Sequence, residues 1–386
     1  MIMETQFAHA ALPPASADDL ARQAFVQSLK LHLARKVVPD IQTVYERRVE
    51  PAFIKAHGRP PATPHEVKGV MDDEYQYRLW GSLYRTAQEL LWNSVLEPVS
   101  RNAEAMAASA HIENPIGSLT LDPALEIPRY VSAVDIHCMP GGYQTERFEG
   151  DVTAGALYDR GVHIYGMGGL GARSDRMGQI ISRFLATRFP ALQAEGRPLR
   201  ILDLGCSVGH STLPYAEAFP GAEIHAIDVG APMLRYAHAR AEAMGVPVHF
   251  HQMNAEALAF PDDHFDIVVS HILFHETSNR AIRNILKESR RVAKPGGIVI
   301  HVEMCFLASL TPFNGFMMLF DGPNNNEPFW ETYRKMDPHE LMASAGFAPD
   351  STFFQQFSRA YDGQTVFSAG VADAGRGTWQ LLGAVK

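Results

Sequence analysis

Residues 203–209 read DLGCSVG. An acid followed by small residues, between an apolar run and a helical pattern, lets backbone N–H groups approach a ligand closely beside a helix N-terminus. About twenty-five residues on, the run EIHAID ends in Asp228, and a carboxylate at that place can accept hydrogen bonds from both hydroxyls of a ribose. Asn254 and Ala255 stand at the end of a third run, VHFHQMN, where an amide suits an adenine amino group. The three tips together describe a nucleoside site, and the combination is far more specific than any one part.

Acid–base and polar side chains gather further along. His271 and His275 are four apart, with Glu276 next. That spacing suits a metal on a helix, but no third ligand is identifiable and the H-E-x-x-H order is absent, so no metal is expected. The two remaining readings are a proton acceptor at the end of the fourth strand and a histidine packed under the sheet edge. His301 and Glu303 close the next apolar run and point to one side. The carboxylate is a base, a substrate anchor or a buried partner for an arginine. His275, Glu303 and His271 are the candidates for proton handling. Asp321, Asn325 and Trp330, from a long insert, join His301 and Tyr143 as candidates for substrate contact. The competing reading of the insert is a surface loop rich in turn-forming asparagines. Trp80, Tyr84 and Trp92 read as helix core rather than a substrate cage.

Two other motifs compete. GCSVG fits the G-x-S-x-G nucleophile elbow with Ser207 as nucleophile. The strands that precede such an elbow are missing from the helical first half, and Asp203 and Asp228 would have no role. GMGGLG, 166–171, fits G-x-G-x-x-G after the short run VHIY. No strand ending in an acid follows at the distance that dinucleotide binding needs, so a turn is expected there.

The elements that must hold these residues fall into two parts. Ala21, Phe25, Leu29, Leu33 and Val37 share a face at helical spacing, predicting a helix over 19–57. RPPATP breaks it, and Thr63 and Glu66 then have capping-box spacing. A second helix is predicted over about 75–97. Segment 111–170 is punctuated by Gly and Pro and reads as short strands or turns. From residue 199 the pattern alternates strand and helix, which implies parallel pairing with right-handed crossovers. The last two segments, STFFQQF and TWQLLGAVK, read as a hairpin-like pair. The expected division is a poorly ordered tail over 1–18, a mainly helical lid and dimerisation part over 19–170, and an α/β part over 171–386 carrying a lid insert at 305–335.

Composition narrows the class. The chain has 386 residues, with 34 Lys+Arg against 43 Asp+Glu and a net charge of −9. No basic stripe is present, which argues against a nucleic-acid partner. Three cysteines far apart give no disulfide framework, and the start lacks a basic and then apolar leader, so a cytoplasmic protein is expected. The most membrane-like stretch, 296–320, is interrupted by His301, Glu303, Pro312 and Asn314, so no membrane partner is expected.

With Asp203, Gly205, Ser207 and Gly209 set against D/E-x-G-x-G-x-G, the chain resembles the class I S-adenosylmethionine-dependent methyltransferases over about 199–303. FPDDHFDIVVSHILFHE is similar to the fourth-strand region of small-molecule members, including the quinone-biosynthesis type. Ser207 in place of the middle glycine is a departure, although a small side chain still permits close approach. Asn254 stands where the family often has Asp. The resemblance implies a doubly wound α/β fold with a seven-stranded, mostly parallel sheet and S-adenosylmethionine as cofactor. It implies that Asp203, Gly205, Cys206, Ser207 and Gly209 border the methionine part, that Asp228 holds the ribose, and that Met233 packs near the adenine. Val229 and Ser270 complete the implied cofactor set. The implied reaction moves a methyl group to an O, N or S atom of a small metabolite, in a chain expected to form a homodimer. The donor carbon is already activated, so the protein must chiefly align the acceptor at about 3–3.5 Å and exclude water. Two alternatives remain at this point: a hydrolase using Ser207, and a cofactor-binding protein without catalysis.

Overall fold

In a computed structural model, residues 5–193, 198–358, 368–369 and 378–386 are described. The alternating second half forms the strands β2 (Arg200–Leu204), β3 (Glu223–Asp228), β4 (His249–Gln252), β5 (Phe265–His271) and β6 (Ala293–Met304). Each is parallel to its neighbours within this group. The expected terminal pair is β7 (Thr352–Ser358) and β9 (Thr378–Val385), and β9 inserts antiparallel between β6 and β7. These seven strands run in the order β4-β3-β2-β5-β6-β9-β7. Among the described residues two short strands widen the sheet to nine: β1 (Ser118–Thr120) beside β4, and β8 (Ser368–Ala369) beside β7.

Side chains of the central strands are apolar on both sides, as a covered parallel sheet requires. Ile201, Ile224, Phe250, Ile267 and Ile300 pack on one face under helices Arg176–Arg188 and Ala231–Ala243. Leu202, Leu204, Ile227, Val268 and Val299 pack on the other, where Ile282, Ile285 and Leu286 of helix Asn279–Val292 meet them. All the strand tips that carry the nucleoside pattern therefore come to one carboxyl edge.

The first part is helical as expected. Residues 17–57 form one run in which two π turns, Leu33–Val37 and Tyr45–Val49, interrupt α-helix. Its buried face differs from the predicted one. Phe25 is exposed, whereas Gln23, Val26 and Lys30 are buried. Polar groups turn inward because they find partners: Gln23 Nε2 donates to the Ser94 carbonyl, and Lys30 Nζ donates to Gln88 Oε1. Helix Tyr75–Arg101 buries Trp80, Leu91, Trp92 and Val95. Thr63 caps helix Pro64–Met71 by accepting the Glu66 N–H, while Glu66 turns back to the Ala62 N–H.

Segment 111–170 departs from its reading. It contributes β1 to the sheet edge, and Thr153–Tyr165 is a helix. VHIY is the end of that helix, and GMGGLG is the turn after it. Glycine inside this helix looks like a turn signal, but Gly155 serves a close approach. A Cβ there would lie 2.3 Å from Cβ of Tyr236 on the facing helix. Part of the expected tail is also placed. Gln6 and His9 both reach Asp159, at 3.1 and 3.0 Å, and Asp159 also holds His210 and Tyr236. Residues 1–4 of that tail lie outside the described residues.

The insert packs as short helices rather than as a surface loop. Pro312–Met318 buries Phe313, Phe316 and Met317 against the N-terminal helices, with Phe313 stacked on Tyr45 at 4.7 Å. Trp80 meets Phe320 at 4.6 Å. Among the described residues no helix is long and apolar enough to cross a membrane.

Candidate active site

The turn after β2 sets the site. Gly205, Ser207 and Gly209 all have positive φ, at 69°, 52° and 76°. Glycine adopts this conformation freely, and Ser207 holds it at a steric cost. Two backbone bonds compensate. The Ser207 N–H donates to Asp228 Oδ2 at 2.9 Å, and the Cys206 N–H donates to the Ile227 carbonyl at 2.9 Å. The Gly230 N–H donates to the other Asp228 oxygen at 2.9 Å. Burial, only partly countered by these donors, raises the Asp228 carboxyl above its ordinary value.

A cavity of about 730 Å³, counting its open mouth, lies over these tips. Gly205, Ser207, Asp228, Val229 and Met233 form one wall; Asn254, Ala255 and His271 also line it. Asn254 Oδ1 accepts the Glu256 N–H and so holds the loop after β4 in place. Cys206, Gly209 and Ser270 do not line the cavity. Cys206 and Gly209 shape the turn from behind. Ser270 is buried and pairs with His301 Nδ1 at 2.8 Å.

Asp203 lies beneath the turn. Thr212 donates to its Oδ2 at 2.6 Å, and its Oδ1 is buried without a partner. Burial raises this carboxyl to about 7. A carboxyl whose folded pKa stands above its unfolded value stabilises the fold at low pH and loses that contribution as pH rises from about 4 toward 7. Asp203→Asn, which mimics the protonated acid, should therefore exceed the wild type at pH 8 by on the order of 4 kcal/mol. At pH 4 the two should match. Urea unfolding at both pH values checks this, and equal stability at pH 8 would show that the acid titrates normally.

The acid–base candidates are held more tightly than strand-end positions suggest. Glu303 and His275 are both buried. Glu303 Oε2 pairs with His275 Nδ1 at 2.7 Å, and its other oxygen accepts the Phe274 N–H. Burial opposes charge on His275, but the Glu303 carboxylate overrides it and raises the ring above its ordinary value. Neither side chain lines the cavity. His301 lies against Phe274, ring centroids 4.6 Å apart, and burial lowers it to about 3. His271 does line the cavity; its Nε2 is 2.9 Å from the Tyr215 hydroxyl, and burial lowers it to about 3, so the ring is neutral.

Of the expected substrate residues, Tyr143 faces the cavity and donates to Glu276 Oε1 at 3.2 Å. Asn325 and Trp330 stand behind it. Asn325 Nδ2 donates to Glu327 at 2.6 Å and lies 2.8 Å from His137 Nδ1. Trp330 meets His275 edge-on at 5.1 Å. Asp321 is raised to about 7 by burial, with the Glu327 charge adding to the effect. His137 bridges the two groups, with Nε2 3.2 Å from Glu276 and Nδ1 3.1 Å from Glu327. Burial disfavours its charge, yet the Glu327 carboxylate and then Glu276 hold it well above its ordinary value.

Several wall residues escaped the sequence reading as site residues, among them Tyr130, Tyr158 and Glu276. Tyr130 and Tyr158 come from the segment without pattern. For Glu276 the available signal was an acid just past the β5 tip. Among the described residues no group of three His, Cys, Asp or Glu side chains could hold a metal ion.

Residues 201–297 match the family model described as a methyltransferase domain. Over 112 residues the chain is 40% identical to the demethylmenaquinone methyltransferase of Thermus thermophilus, covering 29% of this chain and 50% of that protein. Over 117 residues it is 33% identical to the ubiquinone/menaquinone biosynthesis C-methyltransferase UbiE of Burkholderia multivorans, covering 30% and 47%. The chain thus spans about half the length of the curated relatives it matches. Among solved structures it is similar to phosphoethanolamine N-methyltransferase 2 of Haemonchus contortus, at 18% identity over 59% of this chain and 57% of that one, with a TM-score of 0.42. Residues 201–297 are thus similar to a methyltransferase domain, and the matched segment is similar to that of quinone-biosynthesis methyltransferases.

Proposed function

We propose that this chain moves a methyl group from S-adenosylmethionine to an O, N or S atom of a small-molecule acceptor. The carrying observation is the Asp228 carboxylate at the tip of β3, facing the cavity and braced by the Ser207 and Gly230 N–H groups. Its place fits both hydroxyls of a ribose. Met233, Asn254 and Ala255 would border the adenine. The unpartnered Asp203 Oδ1 beneath the turn fits an amino group of the methionine part. The cofactor supplies an electrophilic methyl carbon when bound. The chain's own residues orient the acceptor and exclude water. Glu276 places a carboxylate on the cavity wall, held by Tyr143 and His137, where it favours positive charge.

The relatives act, by their names, in quinone biosynthesis. The family match ends at residue 297, before the insert begins. The cavity wall also takes Tyr130, Tyr143 and Tyr158 from outside the matched stretch, and we take the acceptor to be set by them together with Glu276. The hydrolase reading is disfavoured because Ser207 Oγ has no histidine within hydrogen-bond reach.

Calorimetry with S-adenosylhomocysteine should show saturable binding at one site per chain. Methyl-labelled cofactor, incubated with the protein and a metabolite extract, should label an acceptor readable by mass spectrometry. No binding at millimolar concentration overturns the proposal, and binding without any transfer favours the non-catalytic alternative.

The proposal includes a cytoplasmic homodimer. Leu20, Phe25 and Leu90 are exposed apolar side chains on the N-terminal helices, at 46%, 61% and 37%, and a second copy would cover them. A monomer mass by sedimentation at micromolar concentration would exclude the dimer.

A further inference from the structure

Arg334 ends a short helix, Trp330–Arg334, at the close of the insert. The residue is 1% exposed. Its Nε, Nη1 and Nη2 all lack hydrogen-bond partners. Among the described residues no carboxylate forms an ion pair with it; Asp321 and Glu327 act on it only from a greater distance. The Trp330 ring lies against it, with the guanidinium carbon 4.9 Å from the centroid, and Cys305 and Tyr333 also act on its charge. Burial lowers Arg334 to about 10, which still leaves it charged at neutral pH.

A buried charge without a partner costs several kcal/mol, so proteins pair such groups. Five donors in a planar fork match a carboxylate or a phosphate in two parallel bonds. The surroundings are polar in the same unfinished way. Asn325 Oδ1 is also buried without a hydrogen-bond partner, and Glu327 Oε2 faces His275 Nε2 only at 4.0 Å. Trp330 connects Arg334 to His275, and the next residue, Glu276, lines the cavity. An apolar ring system would leave the Arg334 donors unsatisfied.

We infer that Arg334 receives an anionic group, carboxylate or phosphate, carried by the methyl acceptor. The inference rests on the reading of the cavity as the donor site, because it assigns the adjoining insert to the acceptor. The acceptor is then a small, charged molecule rather than a purely apolar one.

Thermal unfolding of the full chain tests this, with S-adenosylhomocysteine present or absent. The probes are sodium acetate and inorganic phosphate, each against chloride at matched ionic strength. In the wild type, one probe should raise the melting temperature by roughly 2 °C or more beyond the chloride control, and the effective probe tells carboxylate from phosphate. Arg334→Met should melt higher than the wild type without any probe, because it removes an unpaired charge, and should not respond to either. Arg334→Lys keeps the charge without the fork, and should need at least about fivefold more anion for the same shift. An equal anion response in wild type and variants, or none in the wild type, overturns the inference. The S-adenosylhomocysteine shift is read separately. If it persists while the anion shift is missing, only the Arg334 assignment fails; if it is missing too, the donor site fails.

Discussion

Asp228→Ala should weaken S-adenosylhomocysteine binding by about 4 kcal/mol, roughly a thousandfold in Kd. Two losses add. The variant removes an ionised acceptor placed for two ribose hydroxyls, and each charge-assisted bond contributes about 1.5–3 kcal/mol. It also frees the Ser207 and Gly230 N–H groups that the carboxylate braces. Ser207 already sits at positive φ, so an unbraced turn should relax away from the ligand. Asp228→Asn keeps acceptor capacity on one atom, and should fall between the variant and the wild type. Isothermal calorimetry reads all three. A change under threefold for Asp228→Ala would show that the nucleoside is held elsewhere.

Glu303→Ala should destabilise the fold by about 3–5 kcal/mol, the usual consequence of removing one partner from a buried ion pair. The carboxylate is wholly enclosed and serves two donors, the His275 ring and the Phe274 N–H. Removing it strands both in a dry interior. Glu303→Gln keeps the shape and should lose less. Urea unfolding at pH 7 measures the effect. Near-normal stability combined with lost turnover would return Glu303 to the role of a catalytic base. The pH dependence has a definite sign. His275 is raised above its unfolded value, so the stability it contributes is full below about 6.5 and fades as pH rises through the higher folded value. His275→Phe should remove that dependence.

The α/β half was legible because its signals are local. β3 is EIHAID in full, and the helix after it opens at Ala231, as the Pro at its second position suggests. Asp228 and Asn254 come to the cavity because they stand at or just past strand ends, which the pattern places well. The residues missed lack such anchors. β1 is three residues long and pairs with a strand far along the chain. Gly155 disguised a helix as a turn, since the demand for a small residue comes from Tyr236, which no local window contains. Phe25 was assigned to the core on periodicity alone, yet Lys30 takes an inward position, stacked between Tyr84 and Tyr165 at 4.6 and 4.7 Å. Glu303 shows the converse. Its residue type suggested chemistry, and only the fold reveals the histidine that engages it.

The edge strand β1 has a consequence for synthesis. Ser118 leaves the ribosome 131 residues ahead of His249, to which it bonds. At typical elongation rates that interval is on the order of ten seconds. Throughout it, the nascent N-terminal helices have neither the sheet nor the insert to rest on, so this half of the molecule is the stretch most in need of a chaperone's shelter while translation proceeds.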